Sequence, residues 1–173
     1  MFSAIALESF LNEGREFAEA MSAPEGTGVV TVFARAMGDL EQTQSIKLKF
    51  SVSHLVLTGK PADFGAPPYQ DLGLLVSLRN QLVHFKPTAP LSYDPEYHPV
   101  RKNLRAQFES KNLLAEEAES GESWLFHVST KAVAEWACNT AANVILDFLN
   151  NVPQSGWGTI MSDLREPYFS LRF

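Results

Sequence analysis
The stretch Asp71–Pro87, DLGLLVSLRNQLVHFKP, decides how the rest of the chain is read. Leu72, Leu75, Leu78 and Leu82 recur at helical spacing and predict one apolar stripe on a helix from Gln70 to Lys86. At about 100° per residue, Asn80 and His84 lie about 40° apart and share a face, whereas Arg79 lies about 140° from His84. Joint chemistry by Arg79 and His84 therefore calls for a helix end, a distortion or a second chain. Pro87 cannot continue the helix and biases Lys86 away from helical geometry, which puts His84 in the last turn. The carbonyl end of a helix favours a protonated imidazole by about 0.3–1 kcal/mol, a useful property in an acid or a phosphate ligand. The competing reading is structural: Arg, Asn and His at a helix end also knit a bundle together through hydrogen bonds to carbonyls and carboxylates.

The run Arg79-Asn80-Gln81-Leu82-Val83-His84 resembles the RxxxxH motif of the HEPN superfamily, and LRNQLVHFKP is similar to its form in small bacterial HEPN-like proteins. The resemblance implies an all-α fold, a HEPN-like helical bundle of about four to six helices, in a single domain over residues 1–173. It also implies a homodimer and one of two functions. The first is a metal-independent endoribonuclease acting on RNA in a toxin–antitoxin or defence setting, leaving 2′,3′-cyclic phosphate ends. The second is a non-catalytic interaction or regulatory module, with an antitoxin or another protein as partner. For the enzyme, the candidate catalytic residues are Arg79 and His84, with Asn80 in support, and no metal or cofactor is expected. A histidine titrating near neutrality suits either proton transfer. The planar, permanently charged arginine suits charge developing on phosphate oxygens.

Composition sets limits on this. A chain of 173 residues with 45% hydrophobic and 20% charged residues reads as one domain with a proper core. Net charge is −6, so no global attraction draws it to nucleic acid, and RNA binding must rely on a local basic patch. The most basic neighbourhood follows the motif: Lys86, Tyr97, His98, Arg101, Lys102 and Arg105, where cations would track a phosphate backbone and tyrosines stack on bases. The alternative there is a solvated helix start with surface aromatics. Cys138 is the only cysteine, which excludes an intramolecular disulfide and suits a reducing compartment. A basic n-region before an apolar block is lacking, as is any long apolar run, so the expectation is a cytoplasmic protein without a membrane span.

Taken in order, residues 3–21 read as a first helix with Ser3 as its N-cap, and residues 29–38 as a second despite β-branched Val29–Phe33. Asp39 reads as the N-cap of a longer helix to Thr58, stopped by Gly59 and Pro61. His54 on that helix reads as a hydrogen-bonded core or interface residue rather than a ligand. Residues 59–69 and 87–99 are connections. Val100–Glu119 reads as a helix bent near Ser110–Asn112, and residues 130–150 as the last long helix, capped by Ser129 or Thr130 and ended by Pro153. Cys138 reads there as a small packing residue. Residues 154–173, with Trp157, Tyr168, Phe169 and Phe173, read as a packed tail. Gly26-Thr27-Gly28 lacks the strand, third glycine and Lys-Ser/Thr of a phosphate loop. The four histidines are scattered without metal-ligand spacing, and no carboxylate pair stands out.

Overall fold
A computed structural model describes residues 2–22, 26–42, 45–83, 99–114, 124–153 and 156–163, with backbone alone at 99–102, 124–125 and 162. Among them are eight helices and no strand: α1 (Phe2–Met21), α2 (Val29–Asp39), α3 (Ile46–Thr58), α4 (Tyr69–Val83), α5 (Pro99–Ser110), α6 (Trp124–Val128), α7 (Lys131–Asn151) and α8 (Gly156–Asp163). The all-α bundle is as expected; the helix count is higher because α6 and α8 add to the six helices read from the sequence.

Capping sets the break between α2 and α3, which lies later than expected. Leu40 and Glu41 return their amides to Ala36 O and Gly38 O, which closes α2 at Asp39. A fresh start is made at Ser45, whose Oγ accepts from Leu48 N at 3.2 Å. Asp39 is therefore the end of one helix and not the cap of the next. At the far end of α3, Gly59 adopts φ 75°, in the left-handed region, and its amide donates to Leu55 O at 2.8 Å. Helix α5 stops at Ser110, where a turn puts Asn112 at φ 54°; the expected continuation beyond residue 114 lies outside the described residues. Thr130 caps α7, accepting from Val133 N at 3.0 Å and donating to Leu113 O at 2.8 Å.

Helix α7 packs on α1, α3, α4 and α8, and its inward stripe of Ala137, Ala141, Val144, Ile145 and Phe148 enters the main core. There Phe33 lies edge-on to Phe148 (5.7 Å between centroids) and tilted against Trp157 (5.0 Å). Trp157 belongs to α8, is 1% exposed, and donates from Nε1 to Gly14 O at 3.3 Å, so that part of the tail is packed as expected. Tyr168, Phe169 and Phe173 lie outside the described residues.

A second core joins α4 and α5 to the start of α7 through Leu74, Leu78, Leu104, Phe108 and Val133, with Leu82 partly buried against it. The leucines of α4 thus split between two clusters, Leu72 and Leu75 facing the first and Leu74 and Leu78 the second. Ser3 lies inside α1 and Cys138 is exposed, its Sγ 3.7 Å from Ser3 Oγ, so Cys138 is a surface thiol and not a core packing residue.

Candidate functional site at the end of helix α4
Helix α4 carries the motif. Packing of Leu74 and Leu78 against α5 fixes its rotation, and Asn80, about 200° around from Leu78, is exposed. Arg79 lies about 40° from buried Leu75, so its stem is half-buried while its guanidinium reaches outward. Arg79 Nη1 donates to Asn80 Oδ1 at 3.1 Å, and among the described residues no carboxylate pairs with Arg79. An arginine held by a neutral amide keeps its charge available, and its position within about a turn of the helix's carbonyl end suits a cation. Val83 is the last described residue of α4. His84, Lys86, Tyr97 and His98 lie outside the described residues.

Of the proposed phosphate-binding cations, Arg101 and Lys102 lie in the first turn of α5, a helix joined to α4 by the second core, though their side chains are not described. Arg105 is described, and its Nε donates to Glu109 Oε1 at 2.7 Å, one turn along. That ion pair competes with a phosphate for the Arg105 guanidinium.

A polar cluster that the sequence did not disclose joins α3, α4 and α7. Tyr69, 4% exposed, donates its phenol to Asp147 Oδ2 at 2.7 Å. His54 Nδ1 lies 2.8 Å from the Lys60 carbonyl, which can only accept, so Nδ1 carries a proton and donates. His54 Nε2 is 4.0 Å from Asp147 Oδ2, and the His54 ring stands edge-on to Tyr69 at 5.5 Å. His54 is thus the hydrogen-bonded residue expected. Burial, then the hydrogen bond to Asp147 and its charge, push the Tyr69 phenol far above its usual range; Tyr69 is a proton-holding donor and not a nucleophile.

Beside this cluster a groove of about 360 Å³ opens between the Pro67–Pro68 turn and α7, with Asp71, Asn143 and Asn150 along it. Asp71 Oδ1 is 2.9 Å from Lys111 Nζ. The three clustered residues are 15 and 78 positions apart in sequence (54 to 69, 69 to 147), so no local spacing reveals them. The available signal was the polar series Thr140, Asn143, Asp147, Asn150 on one face of α7, at i, i+3, i+7 and i+10.

Among the described residues, no group of three or more His, Cys, Asp or Glu side chains is placed to hold a metal. Nor is any helix among them long and apolar enough to cross a membrane. No family model matches the chain, and comparisons with curated proteins and with solved structures return no match.

Proposed function
We propose that the α4 helix end is the active site of a metal-independent endoribonuclease of HEPN type. The observation that carries this reading is the state of Arg79 and Asn80. They are joined to each other at 3.1 Å, Asn80 is exposed, and no described carboxylate pairs with the guanidinium. A motif serving only to knit the bundle would place them among fixed acidic or carbonyl partners. The all-α fold and the packing of α5 against α4 agree with the reading.

In this reading, a base removes the proton of an RNA 2′-hydroxyl, and the oxygen attacks the adjacent phosphorus. The bond to the 5′-oxygen breaks, and that oxygen takes up a proton as it leaves. The products are a 2′,3′-cyclic phosphate and a 5′-hydroxyl. His84, the residue after α4 in sequence, performs proton transfer. Arg79 holds the phosphate and offsets charge building on its oxygens, and Asn80 orients Arg79 through the bond already present. The angular separation of positions 79 and 84 on a helix favours a cleft composed from two chains, Arg79 from one and His84 from the other.

The test is cleavage of labelled single-stranded RNA in EDTA by the wild type, Arg79→Ala and His84→Ala, with circular dichroism to check folding. Wild-type cleavage with both variants folded and reduced by about 10² or more supports the enzyme. Mixing the two variants then restores activity, because a mixed dimer contains one intact composite cleft. Inertness of all three proteins over a range of RNAs supports the non-catalytic module instead.

A further inference from the structure
Helices α3 and α4 carry four Lys, Arg, Asp or Glu side chains, and these are unevenly matched. Lys49 of α3 is 3.3 Å from Glu8 Oε1, and Asp71 of α4 is 2.9 Å from Lys111 Nζ. The two left over, Lys47 and Arg79, are both cations. Among the described residues neither has a carboxylate within ion-pairing distance. Lys47 is half-buried in the first turn of α3, where the positive end of the helix opposes a cation. An ammonium kept there without a counter-charge is stabilised by an anion brought to it.

The geometry joins Lys47 to the candidate site. A Cβ at Gly73 would lie 3.4 Å from Lys47 Nζ and 3.6 Å from its Cε, so the ammonium rests over the bare backbone of α4. Gly73 and Asn80 are seven residues apart, hence about 20° apart around the helix and about 10 Å apart along it. Ser77 lies between them on that face, its Oγ turned back onto Gly73 O at 2.9 Å. The bond from Arg79 Nη1 to Asn80 Oδ1 draws the guanidinium toward the same face. Two cations thus stand at either end of a strip lined by a glycine and a serine, with no bulky side chain of α4 between them. A single small anion does not reach both, whereas a strand with a charge on every nucleotide does.

We propose that Lys47 binds a backbone phosphate of the RNA strand, a few nucleotides from the phosphate at Arg79. The identity of the polyanion rests on the ribonuclease reading above. Lys47 touches no reacting atom, so it sets affinity and the path of the strand and leaves bond cleavage to Arg79 and His84. Arg105, by contrast, is tied to Glu109.

The experiment measures binding first, by fluorescence anisotropy of an end-labelled, fully 2′-O-methylated single-stranded RNA over about 50–200 mM salt. Lys47→Met keeps the aliphatic stem and removes the charge. It is expected to weaken binding about three- to tenfold at low salt and to lower the log–log salt slope by about 0.7, one phosphate on a single strand. Lys47→Arg restores both. Lys60→Met removes the same charge beyond the other end of α3, changes neither, and so controls for net charge. With cleavable RNA in EDTA, Lys47→Met raises KM and leaves kcat unchanged. Lys47-dependent binding without cleavage retains this phosphate contact and removes the ribonuclease reading. Cleavage with wild-type affinity and salt slope in folded Lys47→Met, or an equal loss in Lys60→Met, overturns the proposal and leaves that reading standing. Absence of RNA binding by the wild type also overturns the proposal.

Discussion

Tyr69 keeps its proton because both its burial and the neighbouring Asp147 carboxylate oppose a phenolate. The consequence for stability has a definite sign. In the unfolded chain the phenol ionises near its ordinary value of 10.0, whereas in the folded protein it stays protonated well beyond it. The unfolded state therefore binds fewer protons above about pH 10, and stability falls as pH rises through that range. Below pH 10 the contribution is fully present. Urea unfolding between pH 8 and 11 should show this decline in the wild type and a shallower one in Tyr69→Phe; identical slopes would remove Tyr69 as its source. None of this was legible in the sequence, where Tyr69 reads only as the residue after two prolines and Asp147 as one polar position on an amphipathic helix. The cluster exists because three helices bring distant positions together. The placement of Arg79 and Asn80 on α4 was legible, since the leucine spacing puts them on one helix.

Individual helices were largely readable from apolar periodicity, and where the reading failed the cause is specific. Asp39 and Ser45 are both good N-cap residues, so side-chain preference alone does not choose between them. The choice is made by backbone bonds that close α2, leaving Ser45 to accept from Leu48. Helix α8 was hidden in a nominal tail because its main anchor is non-local: Trp157 bonds to Gly14, 143 residues earlier. Gly158 lets this helix approach the chain before it. A Cβ at 158 would collide with the Pro153 carbonyl oxygen and come within 3.2 Å of Val152 Cγ1. Gly158→Ala should therefore displace α8 and cost about 1–3 kcal/mol. The expected signs are a lower midpoint in urea and a red shift of tryptophan fluorescence as Trp157 loses its burial. An unchanged midpoint and spectrum would mean that the approach relaxes without cost.

For the whole molecule, two apolar clusters share Trp136, which is packed against both and lies edge-on to Phe108 at 5.3 Å between centroids. That shared residue, with α4 contributing leucines to each cluster, couples the halves into one cooperative unit. Phe108 is 0% exposed, and Phe108→Ala should lower global stability by about 3–5 kcal/mol in a single transition. Separate transitions by fluorescence and circular dichroism would instead show two independently stable clusters. The bundle holds α4 rigidly on two sides and leaves Asn80 exposed near its end, the framework on which the ribonuclease reading depends. Net charge of −6 makes general attraction to RNA a poor explanation for any activity, so activity must come from the local chemistry of this end. The most direct measurement compares an RNA oligonucleotide with its fully 2′-O-methylated counterpart, each incubated with the protein in EDTA, followed by analysis of the product ends. The account predicts cleavage of the RNA alone, with 2′,3′-cyclic phosphate and 5′-hydroxyl ends. Cleavage of both oligonucleotides, or of neither, would contradict it.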